Sequence, residues 1–93
     1  MNAVPTARFR LGRIVATTFA RERLTDADIL SGIQRHHSGD WGDVNENDRN
    51  ENERSLIEGR RLLSAYHASS GVKFWIITET DRSFSTVLLP EEY

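Results

Sequence analysis

The spacing of apolar residues changes period along the chain, and each change marks an element. Leu24, Ala27, Leu30 and Ile33 recur at helical spacing. Thr25 stands at their head with Asp28 three residues on, which suits a capping box, and Leu24 with Ile29 suits the accompanying hydrophobic staple. Asp26 and Asp28 fall in the first turn, where free backbone N–H groups favour negative charge. Arg35, His36 and His37 fall near the carbonyl end, and Gly39 supplies a stop. From Arg61 onward the pattern belongs to strands. Residues 61–68, 72–80 and 84–89 read as strands, 72–80 being rich in β-branched and aromatic side chains, with turns at 69–71 and 80–83 and a stop at Pro90. Two short turns between three such runs predict an antiparallel meander. Residues 9–16 alternate imperfectly and fit a further strand with a bulge or bend at Gly12, while 16–23 fits either a helical turn or a loop. The expected fold is therefore α+β: a three- or four-stranded, mainly antiparallel sheet packed on one or two short helices.

Between these halves lies a segment with no usable apolar period. Residues 40–54 hold Asp40, Asp43, Glu46, Asp48, Glu51 and Glu53 against Arg49 and Arg54. Residues 39–47 read as an ordered loop anchored by Trp41 and Val44. A second short helix is expected from Asp48 or Asn50, where Asp48 with Glu51 and Asn50 with Glu53 satisfy cap spacing. Leu56 and Ile57 would dock its end and Gly59 would terminate it.

Composition bounds what the chain does. Its 93 residues suit one small domain, residues 1–93. Cysteine is absent, which excludes disulfides and thiolate metal sites. No apolar run is long enough for a membrane span, and the opening MNAVPTARFRLGRIVA lacks a continuous apolar stretch and cleavage site, so a cytoplasmic protein is expected. Net charge is only −2, yet charge is segregated: Arg8, Arg10, Arg13, Arg21 and Arg23 face Glu22 alone in the first 25 residues, while the acids cluster at 40–53.

Candidate chemistry is sparse. His36, His37, Asp40 and Asp43 are metal-ligating types, but adjacent helical histidines point about 100° apart and seldom share one shell. Asp48, Glu51 and Asn52 share a helix side, which serves capping as well as a magnesium-dependent nuclease or other hydrolase. Ser64 and Tyr66 share a strand face opposite His67, so they form no nucleophile set, and Gly12, Gly32 and Gly71 form no phosphate loop. Trp75 with Lys73 and Arg61 would make a base-stacking surface if exposed, the basis of a nucleic-acid-binding alternative. The acidic segment is the stronger signal. Trp41 either inserts as the loop's anchor or stands out as a binding hot spot; even as an anchor it would leave Asp40, Asp43, Glu46 and Asp48 held out to a partner's arginines, with Glu51 and Glu53 completing the expected protein-binding display. No catalytic residue, cofactor or metal is assigned, and a monomer or weak homodimer is expected.

Three strings carry a resemblance: HSGDWGDV from His37, GRRLLSAY from Gly59 and KFWIITETDRS from Lys73. Together they resemble a family of small proteins carried by bacterial plasmids and other mobile elements, over about residues 36–93. The chain is also similar to small anti-CRISPR proteins directed at the type I-C surveillance complex. That resemblance implies a stoichiometric, non-enzymatic inhibitor that docks on a protein component of the complex and blocks target-DNA engagement. Net charge of −2 fits local blocking better than imitation of a long duplex, which carries a charge every ~1.7 Å.

Overall fold

The computed structural model describes residues 7–93. The first six residues of the opening segment, read above for a leader, lie outside that range. The described chain forms β1 (Arg13–Ala16), α1 (Thr18–Arg23), α2 (Asp26–His37), α3 (Glu46–Glu58), β2 (Leu62–His67), β3 (Lys73–Thr78) and β4 (Phe84–Leu88), then a 3-10 turn at Pro90–Glu92. This is an α+β fold with an open four-stranded sheet ordered β1-β4-β3-β2. The β2–β3–β4 meander is antiparallel, as the turn spacing predicts. β1 instead lies parallel to β4, with Ile14 level with Ser85. A parallel neighbour requires a long crossover, here supplied by the helices and the meander itself. Among the described residues no helix is long and apolar enough to cross a membrane.

Only part of the 9–16 run pairs. Gly12 bends the chain at φ +67°, and a Cβ there would lie 2.3 Å from the Ser83 carbonyl oxygen, so the close approach demands glycine. Of the 16–23 segment, Ala16 ends β1 and Thr18–Arg23 form a helix capped by the Thr17 hydroxyl, which accepts the Ala20 N–H at 3.0 Å.

α2 starts with the expected capping box, Thr25 Oγ1 accepting from Asp28 N–H at 3.0 Å and Asp28 Oδ2 from Thr25 N–H at 3.2 Å. Its buried stripe differs from the expected one. Ile29, Gly32, Ile33 and His36 face the sheet, while Ala27 and Leu30 face solvent. Gly32 explains the rotation: a Cβ there would come within 2.7 Å of the Phe74 ring, so the helix is seated on its glycine. Leu30, two residues away and about 200° round the helix, is thereby turned outward.

α3 is capped three residues earlier than the cap spacing at Asp48 predicts. Asn45 Oδ1 accepts the Asp48 N–H at 2.8 Å, which makes Asn45 the cap and places Asp48 inside the first turn. Gly59 closes the helix in the left-handed conformation. Leu56 is half-buried, but Ile57 is 87% exposed and does not dock. The helix end is held by Arg82, whose guanidinium donates to the carbonyls of Ser55 (3.1 Å), Arg60 (2.7 Å) and Glu79 (2.9 Å).

The core gathers Ala20, Leu24, Ile33, Tyr66, Phe74, Ile76, Val87 and Leu89 between the sheet and α1–α2. On β2, whose alternation left the inward face open, Leu62, Ser64 and Tyr66 are buried. On the opposite sheet face Tyr93 lies edge-on to Trp75, ring centroids 5.6 Å apart.

Candidate functional site

The acidic segment is built along the outer edge of β2. Trp41 is only 4% exposed. Its ring stacks on Phe9 at 6.1 Å and meets His36 edge-on at 5.7 Å. Its indole N–H donates to Glu53 Oε2 at 2.9 Å, satisfying a buried donor as a tryptophan core position requires. Of the two readings of Trp41, anchor and exposed hot spot, the structure has the anchor. Its role at any interface is to fix the loop.

From that anchor the loop adds to the sheet. Ala65 N–H donates to the Trp41 carbonyl at 3.1 Å and Ala65 C=O accepts from Asp43 N–H at 2.7 Å. Gly42 between them is required, since a Cβ would sit 2.0 Å from the Ala65 oxygen. One turn of α3 serves the next outward pair: Asn52 Nδ2 donates to the Leu63 carbonyl (2.7 Å) and Asn52 Oδ1 accepts from Leu63 N–H (3.0 Å). A side-chain amide thus imitates a neighbouring strand. The edge of β2 is closed at Leu63 and Ala65.

The carboxylates on this edge do three different things. Glu53 is structural, gripped by Arg8 through two bonds of 3.0 and 2.9 Å; that grip, then the Trp41 N–H, holds its pKa below the usual carboxylate range. Asp40, Asp43 and Glu51 each have a surface partner. Asp40 pairs with Arg35 at 2.7 Å, which lowers its pKa, and its backbone carbonyl accepts the Tyr66 hydroxyl at 2.6 Å. Asp43 meets His67 at 2.6 Å, and Glu51 meets Arg54 at 2.6 Å. Glu46 and Asp48 make no salt bridge among the described residues. They occupy the first turn of α3, where the helix N-terminus stabilises negative charge. Asp48 and Glu51 also line an open groove of about 440 Å³ with Asn52, Arg60, Arg61 and Thr80. The sequence-predicted residues are therefore gathered along one edge. Buried Trp41 and half-exposed Glu53 hold it, and Asp43, Glu46 and Asp48 are exposed with no arginine or lysine partner among the described residues.

The reactive-looking side chains lie elsewhere and are sealed. His36 is 0% exposed; Nδ1 lies 2.5 Å from Ser64 Oγ and Nε2 2.8 Å from Thr78 Oγ1. Thr78 Oγ1 is 2.7 Å from Ser85 Oγ, which donates to the Leu11 carbonyl at 2.8 Å. That carbonyl can only accept, so every proton in the chain is assigned. Ser85 donates to Leu11, Thr78 to Ser85, His36 Nε2–H to Thr78, and Ser64 to His36 Nδ1. Burial pushes the His36 pKa down to about 3, with the neighbouring charges of His37 and Arg82 adding to the effect. The pair is geometrically a serine beside a base, yet both members are fully buried and no carboxylate orients the ring. No group of three metal-ligating side chains occurs among the described residues. His67, placed opposite Ser64 by strand alternation, is on the other face and bonds Asp43.

Sequence reasoning missed this network and Arg82. A signal for the first was present: His36 follows Ile33 by three positions on α2, and Ser64, Thr78 and Ser85 sit at inward positions of their strands. The aromatic surface of the nucleic-acid alternative is partly occupied. Trp75 is half-buried beneath Tyr93, and Arg61 donates to the Tyr93 hydroxyl at 3.0 Å while pairing with Glu79. Comparison with known protein families, with curated proteins and with solved structures finds no match to this chain.

Proposed function

We propose that this protein is a non-catalytic inhibitor that uses the acidic β2 edge to occupy a basic, nucleic-acid-binding surface of a type I-C CRISPR surveillance complex in the cytoplasm. One observation carries the reading: Asp43, Glu46 and Asp48 lack arginine or lysine partners among the described residues. They stand on a segment fastened by Trp41, Glu53 and Asn52. A backbone segment held in place beforehand need not be ordered on binding, and carboxylates without an arginine or lysine of their own can form charge-assisted bonds to a partner's arginines. The chain's similarity to small anti-CRISPR proteins supports the choice of partner, and the sealed Ser64–His36 pair supports binding over hydrolysis.

Calorimetric titration of the purified surveillance complex tests the proposal. A variant carrying Asp43→Asn, Glu46→Gln and Asp48→Asn is expected to bind roughly tenfold or more weakly, with the difference shrinking as salt rises. Equal affinity of the variant and the wild type would move the interface away from this edge.

A further inference from the structure

The opposite edge of the sheet is built the other way. β1 pairs with β4 through Arg13 N–H to Ser83 O and Thr17 N–H to Val87 O, both 3.0 Å. Because successive residues of a strand turn their backbone groups to alternate sides, the N–H and C=O of Ile14 and Ala16 point away from β4. None of the described residues outside the sheet bonds them. The side chains there are apolar and accessible: Ile14 is 48% exposed and Val15 38%, on opposite faces, and Phe84, level with Arg13, is exposed too. Arg10, Arg13 and Arg21 make no salt bridge among the described residues, and Arg23 makes one, at 4.0 Å.

We infer that β1 is a second docking site, which receives an extended acidic segment of another protein as a fifth strand. Strand addition uses the open backbone groups for affinity and alternate side chains for selectivity. Here Ile14 and Val15 favour β-branched partners on the two faces, and Arg13 in the strand, with Arg10 just upstream, favours carboxylates. A second copy of this chain is a poorer occupant. Pairing β1 antiparallel with itself would use only four residues of strand and would offer Arg13 no carboxylate. The edge is independent of the acidic one, so either site can fail without the other.

The test is an NMR titration of the full-length, isotope-labelled protein with capped peptides alternating aspartate and valine or lysine and valine. The aspartate peptide is expected to shift the Ile14 and Ala16 amides and slow their solvent exchange, and the lysine peptide to have at least tenfold weaker effect. Arg10→Glu with Arg13→Glu, both exposed positions, should reverse that preference while leaving the rest of the spectrum in place. Unmoved β1 amides, or equal response to both peptides, would overturn the inference. So would the same shifts produced by oligothymidylate, which would make the arginines a nucleic-acid patch. Concentration-dependent self-association moving these amides without peptide would overturn it in favour of a second copy.

Discussion

The two edges of one small sheet are finished in opposite ways. At β2 the outward backbone groups of Leu63 and Ala65 are all taken, by the Asn52 amide and by the backbone at Trp41 and Asp43, and the surface beyond them is acidic. At β1 none of the described residues bonds the equivalent groups of Ile14 and Ala16, and the strand itself carries Arg13. Unpaired strand edges invite association, and proteins manage them by covering them or by charge. At Leu63 and Ala65 the closed edge can therefore meet a partner only through side chains, whereas the open edge can meet one through its backbone. The two are joined inside. The chain Ser64–His36–Thr78–Ser85–Leu11 runs from β2 through β3 and β4 to the residues that lead into β1.

The largest expected effect comes from removing the anchor of the closed edge. Trp41→Ala deletes a buried aromatic and should cost about 3–5 kcal/mol in urea unfolding, with faster hydrogen exchange at Ala65 than at β1 in the surviving fold.

Acid acts next, on the link between the edges. An unfolded histidine takes up a proton near pH 6.5, while His36 in the fold resists until about 3, so between these values the unfolded state binds more protons. Stability is fully present above 6.5 and falls as pH drops toward 3, by at most about 1.4 kcal/mol per pH unit. Asp40 and Glu53, whose values are lowered, add to the loss only below the ordinary carboxylate range of about 4. Chemical denaturation across this window should show His36→Gln with a lower plateau and a flatter slope above pH ~4.5.

Asn52→Ala strips the partners from Leu63 N–H and C=O and should cost about 1–3 kcal/mol. The edge it uncovers should then exchange as readily as β1. Glu53→Gln is milder. It keeps an acceptor for the Trp41 indole but weakens a half-exposed ion pair with Arg8, a change of at most about 1 kcal/mol in thermal unfolding.

Much of this architecture was legible in the chain. The Thr25–Asp28 box and the three-strand run after Arg61 were written in local residue order, and local order decides caps and hairpins. What depended on the approach of distant segments was not legible. Leu30 is exposed because Gly32 lets α2 settle on Phe74, a contact no periodicity encodes. The parallel placement of β1 rests on a crossover through the rest of the chain. The acidic cluster was visible as composition, but its division into Glu53 bound by Arg8, Asp40 bound by Arg35, and Glu46 and Asp48 with no salt bridge among the described residues needed Arg8 and Arg35 located in space.

The most direct measurement is target-DNA binding by a purified type I-C surveillance complex in a gel-shift titration, with wild-type protein and with the Asp43→Asn, Glu46→Gln, Asp48→Asn variant beside it. The account predicts that the wild type abolishes the shifted band near one copy per binding site and that the folded variant does not. An undisturbed band with the wild type, or equal inhibition by the variant, would contradict it.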